Sequence, residues 1–155
     1  MNGILDALRE AFGNALRCDE QRGQQVVHVA VEAIDGVVRL LKEKGFRLLL
    51  DVTAVDRLPR TPRFDVVYHL YHLDLRDWIR LQLETGEEGP EVPSVAGIFP
   101  AANWAEREVF DLFGIVFRGH PDLRRILMPE DWQGHPLRKD YPLAGWRPLP
   151  ALARD

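Results

Sequence analysis

The chain has 155 residues, 46% hydrophobic and 28% charged, with a formal net charge of -4 at pH 7. These values are typical of one soluble globular domain with a sizeable core, and they give no reason to expect a nucleic-acid partner. A single cysteine, Cys18, excludes an internal disulfide and a self-contained iron–sulfur cluster or Cys-rich zinc site.

The usual cofactor motifs are also missing from the sequence. It contains no Walker A loop, no G-x-G-x-x-G turn and no G-x-S-x-G nucleophile motif. No stretch approaches the roughly 18 apolar residues of a membrane span, and the N-terminus lacks the apolar run of a signal peptide. We therefore expect the chain in the cytoplasm or on the cytoplasmic face of a larger assembly.

The first part of the chain predicts a helix, a strand and a second helix. Apolar residues recur at helical spacing over 4–16, and residues 24–32 alternate between apolar and polar as in a half-buried strand. Residues 34–45 have a helical apolar face and end at Gly45, which fits a C-terminal cap.

Three further strands are predicted over 46–56, 63–74 and 78–84. The order of elements predicts an α+β fold: a two-layer domain over residues 1–103, with a mostly antiparallel four-stranded sheet and helices on one face. Between residues 84 and 94 the chain is acidic and rich in Gly and Pro, which predicts a loop.

Residues 103–114 predict one more helix. Asn103 is a candidate N-cap, Glu106 its capping-box partner, and Gly114 the stop. Beyond Gly114 the apolar periodicity disappears, and an extended Pro-rich segment follows. We group residues 104–155 as this helix plus an extended partner-docking segment, within the same domain unit.

The predicted helix carries a cluster of charges: Glu106, Arg107, Glu108 and Asp111. Arg107 and Asp111 have the i,i+4 spacing of an ion pair. Glu108 and Asp111 fall on one helical face, where two carboxylates could serve acid–base chemistry. The alternative, which we favour on the pattern alone, is an ordinary solvated helix face.

Gly-His-Pro occurs twice, with His120 and His135 at its centres. The spacing of these histidines matches no compact metal-ligand pattern, so we predict no metal site and assign the motif a conformational role in turns. The basic pairs Arg124–Arg125 and Arg138–Lys139 do not indicate RNA, because residues 104–155 contain eight basic and eight acidic side chains.

Residues 119–143 combine prolines with large apolar side chains, which an ordinary disordered segment lacks. These side chains are Ile126, Leu127, Met128, Trp132, Tyr141 and Leu143. Such a segment orders either by docking on a partner, which the aromatic and Arg content favours, or by wrapping its own domain. The residue pattern leaves both open.

The stretch EREVFDLFGIVFRGHPDLRRILMPEDWQGHPLRKDYPL at 106–143 resembles the signature region of the 30-kDa subunit, also called the C subunit, of proton-pumping NADH:quinone oxidoreductase (respiratory complex I). The match includes the sequences ERE at 106–108, DLFG at 111–114, RRIL at 124–127 and GHPLRKDYP at 134–142.

The resemblance implies a peripheral-arm subunit on the cytoplasmic side of the inner membrane, without catalytic, cofactor-binding or metal-binding residues of its own. FMN, iron–sulfur clusters and quinone would be bound by partner subunits, among them cluster-bearing subunits and a quinone-site subunit related to the hydrogenase large chain. The residues we assign to the partner interface are Glu106, Arg107, Glu108, Asp111, His120, Arg124, Arg125, Trp132, His135, Arg138, Lys139 and Tyr141.

Two alternatives remain at this point. Related subunits occur in ferredoxin-driven plastoquinone complexes and in membrane-bound hydrogenases, so the electron donor is open. The second alternative is a free-standing enzyme that uses the helix carboxylates with His120 or His135.

Overall fold

The computed structural model describes residues 2–21 and 23–143. Within this part of the chain there are three α-helices, which we number α1 (Asn2–Phe12), α2 (Ile34–Glu43) and α3 (Ala102–Phe113). Short 3-10 turns at Gly13–Ala15 and Val31–Ala33 follow α1 and precede α2. The end of the predicted docking segment, residues 144–155, lies outside the described residues.

Seven strands are present in the described part of the chain. They are β1 (Leu16–Gln21), β2 (Gln24–Val29), β3 (Phe46–Asp56), β4 (Phe64–His72), β5 (Asp77–Thr85), β6 (Glu91–Pro93) and β7 (Val116–Arg118). The first five form one sheet in the order β1-β2-β5-β4-β3, in which β2–β5 is parallel and the other pairs are antiparallel. Strands β6 and β7 form a separate parallel pair.

The α+β class and the mostly antiparallel sheet are confirmed, but the prediction of four strands was wrong. The fifth strand, β1, contains LRCDEQ and lies at the sheet edge, where it pairs only with β2. Because an edge strand is largely exposed, its sequence need not show the apolar alternation that identifies a buried strand. Strands β6 and β7 were also missed, since each has three residues.

All three helices pack into one hydrophobic core with a single face of the large sheet, as predicted. The helices contribute Leu5, Leu8, Ile34, Val37, Val38, Leu41, Ala102, Val109 and Phe113 to it. The central strands contribute Phe64, Val66, Tyr68, Leu70, Ile79, Leu81 and Leu83. On β4 and β5 these residues alternate along the strand, so they share one face of the sheet.

Helix α3 ends as predicted but begins differently. Gly114 adopts the left-handed conformation, with φ of 75°, and closes the helix. The predicted capping box is wrong, because the helix starts at Ala102, with Ala101 as N-cap and no side-chain cap bond. Glu106 instead points into the protein. Past β7, residues 119–143 contain only turns, bends and irregular chain.

Candidate functional site

The predicted interface residues lie on α3 and on residues 119–143, which we call the strap. The strap packs against the C-terminal half of α3. It also reaches the C-terminal end of β3 and the N-terminal end of β4. Asp111 on the helix, Asp56 at the end of β3 and Arg63 just before β4 are its buried anchors.

Asp111 is the centre of the contact between helix and strap. Its fully buried carboxylate accepts the backbone N–H groups of Ile126, Leu127 and Met128 at 2.8–3.0 Å, and the Nη1 of Arg125 at 2.6 Å. Burial by itself acts to raise the pKa of Asp111, but these donors outweigh it and hold the pKa below its ordinary value. The side chain is therefore a permanent anion that shapes the strap around it.

The guanidinium of Arg125 completes this junction. Besides Asp111, it donates to the carbonyl oxygens of Trp132 and Gly134 at 3.0 and 3.1 Å. One side chain thus joins the helix to two separate turns of the strap, and this use of several donors in a planar group is characteristic of Arg.

The predicted Arg107–Asp111 pair is not formed. Arg107 donates to the carbonyl oxygens of Arg124 and Arg125 at 3.2 and 3.1 Å, and its guanidinium lies 5.1 Å from the Trp104 ring centre. The solvated-face interpretation is also wrong for Glu106, Arg107 and Asp111, all of which are buried. Their partners are too distant in sequence for helical spacing to indicate them.

His135 and Arg138 bind the C-terminal end of α3. The Nδ1 of His135 lies 2.8 Å from the carbonyl oxygen of Asp111, and the Nε of Arg138 donates to that of Phe113 at 2.6 Å. The last carbonyl groups of a helix have no hydrogen-bond partner within the helix. Here the side chains of the strap provide those partners. Burial lowers the pKa of both His135 and Arg138. A side chain at Gly114 would collide with the His135 ring, since a Cβ there would lie 2.6 Å from it.

A second anchor was missed in the sequence. Arg63, 2% exposed, donates to Asp56 at 2.7 Å and to Asp140 of the strap at 2.6 Å. Asp56 also accepts the backbone N–H of Lys139 at 2.8 Å. Burial acts to raise the pKa of Asp56, but its bonds to Arg63, Lys139 and Leu58 lower it overall. Only the position of Asp140 inside the stretch GHPLRKDYP at 134–142, which carries the family resemblance, could have indicated this role.

Glu106 lies on the opposite side of α3 from the strap anchors and is fully buried. It accepts the hydroxyl of Ser94 at 2.5 Å and the N–H of Val95 at 2.7 Å. Burial raises its pKa to about 7, although these two hydrogen bonds oppose the shift. The hydroxyl of Tyr68 is buried without a hydrogen-bond partner among the described residues.

His120 is the neighbour of Glu106. The Nε2 of His120 lies 4.0 Å from the Glu106 carboxylate and 3.0 Å from the carbonyl oxygen of Asn103, while Nδ1 accepts the N–H of Asp122 at 3.0 Å. Since a carbonyl can only accept, Nε2 is the donor to Asn103 and Nδ1 is the acceptor of the ring. The ring holds the turn that starts the strap, which is the conformational role predicted for Gly-His-Pro.

The remaining predicted interface residues face outward or lie at half-buried positions. Glu108, Arg124 and Lys139 are exposed, and Tyr141 donates its hydroxyl to the carbonyl oxygen of Gln133 at 3.3 Å. Trp132 is half-buried, and its indole N–H is enclosed without a partner among the described residues.

Large apolar side chains are exposed on α3 and the strap. Trp104 is 63% exposed, Leu127 60% and Leu137 53%, and Leu143 is fully exposed. Scattered exposed apolar residues are normal, but three of these four belong to the strap, whose backbone is held by buried polar anchors.

Within residues 2–21 and 23–143, no group of three or more His, Cys, Asp or Glu side chains could hold a metal ion. None of the helices there has the length and apolar character of a membrane span.

Comparison with known proteins assigns the family. Residues 27–147 match the family described as "Respiratory-chain NADH dehydrogenase, 30 Kd subunit". The chain is 51% identical over 144 residues to the C subunit of NADH-quinone oxidoreductase from Roseiflexus sp. (strain RS-1), and the match covers 90% of this chain and 83% of the relative. It is 49% identical over 146 residues to the subunit of the same name from Geotalea uraniireducens, covering 93% and 89%.

Two solved structures share the fold. The trypsin-resistant fragment of Nqo5 is 35% identical, with a TM-score of 0.69 over 77% of this chain and 98% of that one. A chain of the membrane-bound sulfane sulfur reductase, an archaeal respiratory membrane complex, is 27% identical, with a TM-score of 0.80 over 92% and 85%. With the family match extending over both the sheet and the strap, this chain belongs to the 30-kDa subunit family of respiratory-chain NADH dehydrogenase.

Proposed function

We propose that the chain is a structural and assembly subunit in the peripheral arm of a proton-translocating NADH:quinone oxidoreductase. Its membership of the 30-kDa subunit family and its relatives at about half identity support this role. In this proposal FMN, the iron–sulfur clusters and quinone belong to partner subunits. Electrons pass from NADH to quinone through those partners, while this chain binds no cofactor and performs no chemical step.

The observation that carries the proposal is the construction of the strap. It has no helix or strand of its own, yet buried charges at Asp111 and Asp56 fix its backbone. At the same time it exposes Leu127, Leu137 and Leu143. A preorganised irregular segment with exposed apolar side chains suits docking, because little conformational entropy remains to be lost when a partner binds.

The geometry places eight of the twelve predicted interface residues in two groups. Arg107, Asp111, Arg125, His135 and Arg138 are bonded to the chain's own backbone and carboxylates, so in the proposal they hold the strap in shape. These internal bonds also favour a structural role over the free-standing acid–base enzyme.

The second group provides the partner contacts in this proposal. It comprises the outward-facing Glu108 and Arg124 together with the exposed leucines. Lys139 is also exposed, but its Nζ donates to the carbonyl oxygen of Leu58 at 3.1 Å, so it belongs with the residues that hold the strap. The partners are a quinone-site subunit related to the hydrogenase large chain and cluster-bearing subunits, with the whole assembly peripheral on the cytoplasmic side of the inner membrane.

The similarity to the sulfane sulfur reductase chain favours a second candidate. In it the chain plays the same docking part in another respiratory membrane complex, such as a ferredoxin-driven plastoquinone complex or a membrane-bound hydrogenase. The two candidates differ in the electron-input subunits and not in the surface of this chain.

The test is affinity purification of the tagged chain from its own membranes, followed by mass spectrometry. We expect cluster-bearing and quinone-site subunits to copurify. Flavin-bearing, NADH-binding subunits in the same preparation support complex I, and a large subunit with nickel-site cysteines supports the hydrogenase alternative. Recovery of the chain alone as a soluble monomer would overturn the docking function.

A further inference from the structure

One face of the large sheet carries no helix, and we call it the open face. All three helices pack on the other face, with core residues such as Tyr68 and Leu81. The uncovered face of an antiparallel sheet is commonly polar. Here it also has apolar residues, because Val26 is fully buried and Val67 is 8% exposed although neither belongs to the core. Apolar side chains therefore lie on both faces of the sheet.

The strand register places an apolar row at one end of the open face. Leu48 of β3 pairs with Tyr71 of β4, and Tyr71 pairs with Trp78 of β5. Each of the three is next in sequence to a residue of the core, so their side chains lie on the open face. Leu48 is 42% exposed, and the two aromatic side chains are half-buried. The row therefore exposes apolar surface across three neighbouring strands.

The next row along these strands holds a cation. His69 of β4 pairs with Arg80 of β5, and the Nε of Arg80 donates to the Nε2 of His69 at 3.0 Å. The Nη2 of Arg80 donates to the side-chain oxygen of Gln24 at 3.4 Å, and its guanidinium lies 5.9 Å from the Trp78 ring centre. Burial lowers the pKa of His69, and its Nε2 accepts a hydrogen bond, so both partners of Arg80 are uncharged. The two rows together form what we call the sheet patch: Leu48, His69, Tyr71, Trp78 and Arg80.

Arg80 differs from the arginines at the far end of the open face. There Arg57 and Arg60 both bind the buried carboxylate of Asp65. Arg80 is half-buried and forms no ion pair with a carboxylate of residues 2–21 or 23–143. Asp51 lies in the same row but two strands away, at about 10 Å. The sheet patch therefore contains a cation that no described carboxylate neutralises.

The donors of Arg80 identify the group that would neutralise it. A guanidinium has five N–H groups, and the bonds to His69 and Gln24 use two of them. The other three can bind a carboxylate through two parallel hydrogen bonds. A nucleic acid fits less well, since Asp51 is exposed in the same row and the chain has a net charge of -4. The sheet patch thus suits the side chain of an Asp or Glu.

The apolar row identifies what should accompany that carboxylate. Successive rows on one face of a sheet are two residues, or about 7 Å, apart. A partner acid bound to Arg80 therefore brings its neighbours in sequence onto Tyr71 and Trp78. Trp, Tyr and Arg are the residue types that dominate interface energetics, and all three meet in the sheet patch. The matching partner segment has an acid beside an apolar side chain.

The sheet patch lies away from the strap. The strap bonds to α3, on the helix-covered face, and it meets β3 at Asp56. Leu48 lies eight residues earlier on β3, at about 25 Å, and its side chain points to the opposite face. A partner on the sheet patch and a partner on the strap would therefore contact opposite sides of the chain.

We propose that the sheet patch is a second docking surface, where a partner subunit binds Arg80 through an Asp or Glu and packs an apolar neighbour on Tyr71 and Trp78. The chain then joins two parts of the assembly. The inference rests on the proposed docking function and adds to it a contact of stated chemistry on the side away from the strap.

The first experiment locates the partner segment. A photoreactive benzoylphenylalanine is placed at Leu48 in the tagged chain, and the complex purified from its own membranes is irradiated. Leu48 lies about 12 Å from Arg80, a distance that four extended residues span. We expect a cross-link to another subunit, with an Asp or Glu within four residues of the linked position. A cross-linked segment without such an acid, a cross-link to a second copy of this chain, or no cross-link in a complex that copurifies normally would overturn the sheet patch and leave the docking function intact.

The second experiment reverses the charge. Arg80→Glu should lower the recovery of the cross-linked subunit per tagged chain at least about tenfold, because two acids then face each other. Reversing the partner acid to Arg should restore recovery, which also shows that the Arg80→Glu chain folds. The matched control is Arg9→Glu, at an exposed arginine of α1 on the helix side of the sheet. It should recover partners as the unmodified chain does.

A third variant, Arg80→Met, removes the charge and keeps the methylene stem beside Trp78. Its recovery of the subunit should lie below that of the unmodified chain and above that of Arg80→Glu. Recovery at the control level by either variant, or failure of every acid reversal within the linked segment to restore Arg80→Glu, would contradict the proposal. If the unmodified chain recovered no partner, both the sheet patch and the docking function would be overturned.

Discussion

The sheet domain and the strap are stabilised in different ways. In the domain, buried aliphatic and aromatic side chains such as Leu81 and Tyr68 fill the space between one sheet face and three helices. The strap has few such residues to bury, and its backbone is held by charges, chiefly Asp111 and the pair Arg63–Asp140. The comparison shows that an irregular segment can be ordered when buried carboxylates supply the hydrogen bonds that a helix or strand would otherwise provide.

Two carboxylates of α3 show the same contrast within one helix. Asp111 faces the strap, where N–H donors and Arg125 lower its pKa despite burial. Glu106 faces the domain interior, where burial raises its pKa to about 7. Asp111 therefore stabilises the folded chain as an anion, whereas Glu106 stabilises it in the protonated form. Substituting each in turn should therefore separate the two regions.

The largest effect should come from Asp111→Ala. It leaves Arg125 without its buried counter-charge and removes the acceptor for three strap N–H groups, and breaking a buried pair of this kind costs about 3–5 kcal/mol. Because the loss is confined to the strap, limited trypsin digestion should cut at Arg124, Arg125 and Arg138 well before it cuts the domain. Mass spectrometry of the early fragments measures this order, and urea unfolding measures the free energy.

The matched control is Leu81→Ala in the centre of the sheet, where Leu81 is fully buried. A cavity there should cost about 2–5 kcal/mol, but it should expose the domain and the strap to trypsin together. If Asp111→Ala also released domain and strap fragments at the same rate, the strap would not be a separately anchored region.

A smaller effect is expected from the titration of Glu106. Its folded pKa of about 7 lies above its ordinary value of 4.5, so the folded state binds the proton more tightly and its contribution is fully present below pH 4.5. That contribution is lost as pH rises through 7, by roughly 3 kcal/mol in total. The charged or titratable neighbours that face it are His120, whose Nε2 lies 4.0 Å from the Glu106 carboxylate, and the Tyr68 hydroxyl.

Denaturant unfolding between pH 4.5 and 8 measures this slope. In Glu106→Gln, which keeps the shape and cannot ionise, the free energy of unfolding should lose most of its decline over that interval. The lowered pKa of Asp111 has the opposite sign, since its stabilisation is lost only as pH falls below the ordinary value of 3.8. An unchanged slope in Glu106→Gln would show that another group titrates in this window.

The sheet was largely predictable from the sequence, because its signals are local. Strand β3 was predicted at 46–56 and found at Phe46–Asp56, and β5 was predicted at 78–84 and found at Asp77–Thr85. Alternation of apolar residues is visible within such short windows. The polar edge strand β1 carries no such signal, and it was missed.

The anchors of the strap could not be predicted in the same way. The acceptor Asp111 and its donors at 126–128 lie 15 to 17 residues apart, and Arg63 and Asp140 lie 77 apart. Hydrophobic periodicity cannot connect such positions, because the strap contains no helix or strand and its apolar residues do not recur at a regular spacing. The partner interface drawn from the resemblance included Asp111 and Arg125. It did not include Asp56, Arg63 or Asp140, and the structure shows bonds within the chain for all five.

The smallest stability effect should come from Arg124→Ala. Arg124 pairs with Asp122 at 2.9 Å, but both side chains are more than half exposed, and exposed pairs contribute about 0–1 kcal/mol. Its neighbour Arg125 is bonded to buried Asp111, so Arg125→Ala should cost about 3 kcal/mol or more. Urea unfolding of the two variants, combined with the partner subunits recovered from membranes, separates anchoring from docking. Arg124→Ala should keep the stability of the chain and lose partners, whereas Arg125→Ala should lose both. An Arg124→Ala chain with full partner recovery would remove Arg124 from the docking surface, and the exposed leucines of the strap would then carry that contact.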